Sequence, residues 1–188
     1  MNSTSKKIDK FINSFDSHTI QSLNEISKIE VFKKNEFLLR QDQTCKKSYH
    51  IENGVARKFY ISDGKEMTTE LFFANDIAIS FNSYAQQIPS AEFIQALSDI
   101  TAKSMDYQAF NLLKKSNYKI AELDLMLTEH YAIWLEERLF QFHTMTATQR
   151  YERILANDNH IIQNIPLTII ASYLGISLET LSRIRAKI

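Results

Sequence analysis

Three glycines, two prolines and one cysteine are all that 188 residues contain. A single thiol, Cys45, can neither close an internal disulfide nor hold an iron–sulfur cluster, which takes several thiolates. No run of 18 apolar residues occurs, so hydropathy offers no membrane span. The opening Met1-Asn-Ser-Thr-Ser-Lys-Lys7 leads into a mixed segment rather than the apolar stretch of a secretory signal, and the expected address is the cytoplasm. An excess of charge of one sign is missing as well. Lys and Arg number 22 and Asp and Glu 22, which argues against indiscriminate binding of polyanions. The five histidines, His18, His50, His130, His143 and His160, include no His-x-x-x-His pair. No Ser/His/Asp set with a supporting motif appears, so no enzyme, metal or cofactor is expected. Cys45, between polar residues and followed by Lys46 and Lys47, is the one candidate for a reactive thiol, because nearby positive charge lowers a thiol pKa.

With glycine so scarce, its positions are informative. Asn53-Gly54 separates Ser48–Glu52 from Val55–Ile61, and Asp63-Gly64 separates that run from Lys65–Phe73. Asn-Gly and Asp-Gly between β-rich runs are strong hairpin signals, since both turn positions favour φ > 0. In the middle strand Val55, Arg57, Phe59 and Ile61 alternate with Ala56, Lys58, Tyr60 and Ser62. In the next, Met67, Thr69, Leu71 and Phe73 form the more apolar face. Further strands are predicted at Phe37–Arg40, Ile77–Ser80, Glu92–Leu97 and Thr101–Met105. An antiparallel unit of about seven or eight strands results, closing into a roll or barrel that protects its edges.

Helices bracket this unit. Ile8, Phe11, Ile12 and Phe15 make an amphipathic stripe, followed by Ile20, Leu23 and Ile26. Asp106 can cap a short helix carrying Phe110 and Leu113. A long helix then runs from about Asn117 to His143 without glycine or proline, apolar almost all the way round. Such a helix needs cover on more than one face. One face can lie on the β unit, and the spacing predicts a seam with the same helix of a second chain at Leu123, Leu127, His130 and Trp134. Burial within one domain is the alternative. Arg150–Ala156 reads as another helix, and Asn157–His160 as a polar break.

From Pro166 to Ile188 the chain reads as a helix-turn-helix. Pro166 opens a helix where a terminal N–H has no partner to lose. Ile170, Ala171 and Leu174 fall on one face, Gly175 supplies the φ > 0 that ends it, and Ser177 caps a second helix whose Leu181 and Ile184 face back. Leu178, Glu179, Ser182 and Arg183 are left outward. This segment holds one acid, Glu179, against Arg183, Arg185 and Lys187, a local basic excess suited to phosphate. An ordinary α-hairpin shares the apolar spacing and the glycine, but the small residue, glycine, cap and apolar positions fit together as a DNA-binding pair.

The order helix, β-roll, long helix, helix-turn-helix, with Tyr49–Gly54 and Leu174–Ile184, resembles the Crp/Fnr superfamily of bacterial transcription regulators over nearly the whole chain. The Ala171-Ser-Tyr-Leu-Gly175 wording and the short C-terminal end look like the versions common in Bacteroidetes. The resemblance implies an α+β fold: a β-roll sensor domain over 1–116, a dimerisation helix over 117–143 and a DNA-binding domain over 144–188. It further implies a homodimer on a palindromic double-stranded DNA site, an unknown small-molecule effector, and RNA polymerase as a further partner.

Carried onto this motif, Ser177 contacts phosphate while Glu179 and Arg183 read base edges, arginine pairing with guanine and glutamate accepting from cytosine. Lys187 adds a phosphate contact. Where many relatives carry a second arginine, this chain has Leu178, which can touch a thymine methyl or pack. The effector pocket is expected at Asn75, Ile79, Ser80, Ser90 and Ala91. Cyclic-nucleotide binders of the superfamily place a glycine–glutamate pair and a downstream arginine there. Pro89-Ser-Ala-Glu92 has no arginine and no glycine lies between Gly64 and Gly175, so a neutral pocket that does not bind cyclic AMP or GMP is expected. A small-molecule-binding or protein-interaction β-roll with a vestigial helix-turn-helix is the competing reading.

Overall fold

A computed structural model describes residues 3–187, so Ile188, the last residue of the C-terminal motif, lies outside the described residues. Two short helices, α1 (Ser3–Ile12) and α2 (Ser17–Ile26), precede eight strands: β1 (Ser27–Phe32), β2 (Phe37–Leu39), β3 (Lys47–Asn53), β4 (Ala56–Ser62), β5 (Lys65–Phe72), β6 (Ile77–Ala78), β7 (Phe93–Ala96) and β8 (Ile100–Asp106). A short α3 (Phe81–Gln86) lies between β6 and β7. Strands pair into two four-stranded sheets, β1-β8-β3-β6 and β2-β7-β4-β5, whose described pairings are all antiparallel. Ile51, Ala56, Phe72, Ala78, Ile94, Ile100 and Ala102 fill the space between them.

The two glycine turns differ. Asp63 (φ 50°) and Gly64 (φ 73°) join β4 to β5 in a paired hairpin, Ser62 facing Lys65. Asn53-Gly54 does not close a hairpin: β3 and β4 belong to different sheets, and Gly54 (φ 98°) turns the chain from one to the other. It passes so close to β8 that an added Cβ would lie 2.3 Å from the Asp99 carbonyl oxygen. The expected face of β5 is also reversed. Thr68, Glu70 and Phe72 are its buried residues, while Leu71 and Phe73 pack, with Val55 and Leu97, against the C-terminal helices. Alternation fails as a guide here because both faces are covered.

Asp106 caps α4 (Tyr107–Ser116), its carboxylate accepting from the Gln108 and Ala109 N–H groups. Asn117 then caps α5 (Tyr118–Thr144) by accepting from Lys119 N–H. The first turns of α5 join α1 and α4 in a cluster of Ile8, Phe15, Ile120 and Leu123, with Met126 and Leu127 at its margin. Four helices follow: α6 (Ala147–Asn157), α7 (Asn159–Asn164), α8 (Leu167–Leu174) and α9 (Leu178–Arg185). Thr146 and Gln149 form a reciprocal capping box at the start of α6. The polar break expected at Asn157–His160 is only a one-residue interruption at Asp158. β1, α3 and α7 have weaker sequence signals, being respectively an edge strand with exposed Ile29 and Val31 and two helices of 6 residues.

Gly54→Ala should lower stability by about 2–4 kcal/mol, combining a positive φ with a collision against backbone. Gly64→Ala, with nothing within 4 Å of the added carbon, should cost about 1 kcal/mol from φ alone. Urea denaturation of both variants measures the difference.

Candidate nucleic-acid interface and interior site

Helices α8 and α9 pack through Ile170, Ala171, Leu174, Leu181 and Ile184, all buried. Pro166 precedes α8 with φ −56°. At the other end Gly175 (φ 67°) closes a Schellman turn, its N–H donating to the Ser172 carbonyl and the Ile176 N–H donating to that of Ala171. A side chain at Gly175 would meet the Phe142 ring at 2.9 Å. Ser177 caps α9, its Oγ accepting from the Thr180 N–H at 3.2 Å.

Leu178, Glu179, Ser182, Arg183 and Lys187 all lie exposed. The Ser177 hydroxyl, the backbone N–H of Glu179 and the Arg183 charge hold the Glu179 carboxyl below the usual carboxylate range. Arg183 donates to the Glu179 carbonyl and the Thr180 hydroxyl, each at 3.4 Å. Bonds that long on an exposed side chain leave the guanidinium available for an outside acceptor.

Two other arginines set how this pair of helices sits. Arg138, buried on α5, donates to the Tyr173 carbonyl at 2.8 Å with its guanidinium 4.0 Å from the Tyr173 ring centroid. Arg150 on α6 donates to the Leu174 carbonyl at 3.0 and 3.2 Å and to the Met145 carbonyl at 2.8 Å. The last carbonyls of α8, which have no partner inside the helix, are thereby bonded to charged donors. Neither arginine stands out in the sequence, because nothing local marks which distant carbonyl each one serves.

Inside the roll, the predicted pocket residues divide. Ser80 and Ser90 are buried and joined, Oγ to Oγ, at 3.0 Å, and Ser80 also donates to the Glu92 carboxylate at 2.9 Å. The Ile79 carbonyl lies 3.5 Å from Lys58 Nζ. Asn75 is instead exposed in the β5–β6 turn, its N–H donating to the Ile51 carbonyl, and Ala91 is exposed. The neutral character expected of this region is corrected by residues that the motif did not include. Lys58, 4 % exposed, lies 2.5 Å from the Glu70 carboxylate and 3.3 Å from the Tyr131 hydroxyl on α5.

Burial alone would pull the Lys58 ammonium down, but Glu70 and then Glu92 more than reverse this and raise it. Glu70 is raised by its own burial despite the pull of Lys58. Tyr131 stacks on Trp134 at 5.8 Å and packs on Phe81 at 5.2 Å, so this part of α5 faces the roll.

Two further sequence expectations change. Leu123, 7 % exposed, is covered by α1 and α4 of its own chain, Leu127 is half-buried beside it, and Trp134, half-buried, stacks on Tyr131. His130 is half-buried on the same helix. Leu125, Leu135 and Leu139, 57 %, 44 % and 60 % exposed, form one exposed apolar row on α5, and Ile133 and Phe140 are exposed on another side. Cys45 is buried rather than set in an open loop, and desolvation raises its thiol pKa. A reactive thiolate is therefore disfavoured. Among the described residues no three His, Cys, Asp or Glu side chains gather as a metal site, and no helix is long and apolar enough to cross a membrane.

No family model and no curated protein matches the sequence. The fold does match solved structures along most of its length. FixK2 from Bradyrhizobium japonicum is 17% identical, with 86% of this chain and 84% of that one covered and a TM-score of 0.73. A CooA variant from Carboxydothermus hydrogenoformans is 16% identical, with 94% and 81% covered and a TM-score of 0.70. CLP from Xanthomonas campestris, described as a c-di-GMP responsive global regulator of virulence gene expression, is 14% identical, with 92% and 91% covered and a TM-score of 0.65. At these identities the likeness is one of fold.

Lys58→Met should destabilise the protein by about 3–5 kcal/mol at neutral pH, because Glu70 is left buried without its cation. An acid whose folded pKa is raised destabilises while ionised, so the deficit should shrink as pH falls and Glu70 protonates. Lys58→Met combined with Glu70→Leu should recover much of the loss, as read by denaturation of the single and double variants across pH.

Proposed function

We propose that this chain is a homodimeric, DNA-binding transcription regulator of the Crp/Fnr type, with an interior sensor site that does not take cyclic AMP or GMP. The observation that carries the reading is the α8–α9 pair: a tight glycine turn, a serine-capped second helix, and Glu179, Ser182 and Arg183 exposed together on it. A helix presented this way fits the major groove, with base contacts coming from its first turns. The match to FixK2, CooA and CLP, which spans most of each chain from the roll to the C-terminal helices of this one, supports the same reading. In this reading residues 1–116 sense, 117–143 dimerise and 144–188 bind a palindromic site in the cytoplasm.

The interior chemistry argues against cyclic nucleotides. A phosphate beside Lys58 would meet Glu70, which already compensates that cation, and Glu92 as a second acid. Displacing Glu70 would leave a buried carboxylate unpaired, a cost a phosphate contact must first overcome. An uncharged or weakly polar effector avoids it. RNA polymerase is a partner of the proposed activity with no surface assigned to it.

A second copy of α5 is the partner proposed for the row Leu125, Thr128, Ala132, Leu135 and Leu139, whose spacing alternates between three and four as a two-helix seam requires. Ala132 at the centre permits close approach. Leu135→Glu together with Leu139→Glu should therefore give a monomer with unchanged helix content. Sedimentation at unchanged mass would place the contact elsewhere.

On DNA, Arg183→Ala should cost about 1–3 kcal/mol on the preferred site and relax selectivity at one position per half-site. Lys187→Ala should weaken all sequences alike and flatten the salt dependence. The measurement is titration of selected and random duplexes over a range of salt. Equal losses on both duplexes for Arg183→Ala would remove its base-reading role.

A further inference from the structure

We infer that Ser172 is a positioning residue for DNA recognition: by completing the exposed edge of β5 it holds the α8–α9 pair on the roll, and so fixes the half-site spacing a dimer accepts. The inference rests on the DNA-binding reading above.

Strand β5 is an edge of its sheet, paired with β4 on one side only. Backbone groups on an open edge need a partner. The Ser172 hydroxyl accepts from the Thr68 N–H at 2.8 Å and donates to the Glu66 carbonyl at 2.7 Å. One side chain thus supplies the two bonds that a neighbouring strand would make, across more than 100 residues of sequence. A serine within a helix commonly bonds back to its own carbonyls, and this one leaves its helix to bond a different part of the fold.

The contact is placed where it controls orientation. Tyr173 and Leu174, the next two residues, are those whose carbonyls Arg138 and Arg150 hold. Helix α8 is therefore pinned to the roll by Ser172 and to α5 and α6 by the two arginines. Glu179, Ser182 and Arg183 on α9 stay exposed in this docked arrangement, so the contact orients the reading face without covering it. Two half-sites of a palindrome are read together only if the two helices keep a distance near one turn of DNA, which makes the docking angle a determinant of spacing.

Strand β5 also carries a bulge at this point. Its pairing to β4 shifts between Lys58 opposite Glu70 and Phe59 opposite Thr68, leaving Thr69 as the extra residue. The bulge aims Glu70 inward at Lys58, while the Thr68 amide on its other side meets Ser172. Thr68 Oγ1 is buried without a hydrogen bond, so the segment is held by its backbone bonds to Ser172 and β4.

The test compares the full-length protein with Ser172→Ala and Ser172→Thr, using palindromes that the unaltered protein selects from random duplexes. Each site is tried with its original spacing, with 5 base pairs inserted between the halves, and as a single half-site, half a turn of DNA being about 5 base pairs. Losing two hydrogen bonds should reduce the preference for the original spacing about tenfold in Ser172→Ala, leave half-site affinity within about twofold, and be reversed in Ser172→Thr. Amide exchange at Thr68 should become faster in Ser172→Ala alone. A spacing preference unchanged in Ser172→Ala overturns the positioning role, and unchanged protection at Thr68 overturns the contact itself. An unaltered protein that selects no site removes the DNA reading and this role with it, while the exchange measurement still decides whether the contact forms.

Discussion

The β4–β5 hairpin has to be covered on both faces at once, and most of the architecture follows from that requirement. The roll closes over one face with Ala56 and Phe72, while the C-terminal helices close over the other with Val55, Leu71, Phe73 and Leu97 as their seat. A strand buried on both sides cannot keep its polar residues in water. Arg57, Lys58, Thr68 and Glu70 are accordingly buried, and the charged ones among them are paired: Arg57 with Glu66 at 2.6 Å, Lys58 with Glu70 at 2.5 Å. A buried pair of this kind adds little net stability over an apolar pair of the same shape, because desolvation offsets most of the attraction. Its effect is on register. A slip of one residue would bury one charge without the other, so the pairing admits only the observed alignment.

Guanidinium groups do comparable work at the other end of the hairpin's cover. Phe142 lies between Arg138, 4.7 Å from its ring centroid, and Arg150, 5.0 Å away, with Gly175 pressed against the ring. The absence of a side chain at Gly175 serves two purposes there: the left-handed turn that separates α8 from α9, and the clearance that lets the turn rest on Phe142. Lysine would not replace either arginine, since the planar fork both stacks and donates to carbonyls in fixed directions. The last turn of α8 is thus held by parts of α5 and α6 that are distant in sequence.

How much of this was legible beforehand depended on whether the signal was local. Gly175, Ser177 and Pro166 act within a few residues of themselves, and the turn and cap they announced are in place. Asp63-Gly64 likewise makes a hairpin on its own. Asn53-Gly54 carries the same dipeptide chemistry, yet its flanking strands go to different sheets, because partner choice is made by β8 and β7 and not by the turn. The charges around Ser80 and Ser90 escaped the sequence for the same reason. Ser80 and Ser90 are brought together as the loop suggested, but the charges beside them come from β4 and β5 and no spacing in the sequence links them. On α5, a helix apolar on several sides announces that it has several partners without saying which side meets which. Leu123 and Leu127 are claimed by α1 and α4, and these are contacts of tertiary origin.

Those claims still leave apolar residues of α5 to account for. Its first turns are packed by Ile8 and Phe15, its middle is set on the roll by Tyr131, and Arg138 and Phe142 engage the end of α8. Toward solvent lie the side bearing Leu125, Leu135 and Leu139 and, on another side, Ile133 and Phe140. Scattered exposed leucines need no explanation on a protein surface, but three on one stripe of one helix, with Ala132 between them, are a patch. Tyr131 lies beside this stripe in sequence while its hydroxyl touches Lys58, so a single turn of α5 meets the interior ion pair on one side and solvent on the other. The Lys58–Glu70 pair therefore touches, through Tyr131, the same helix that carries the exposed stripe, with no intervening element between them.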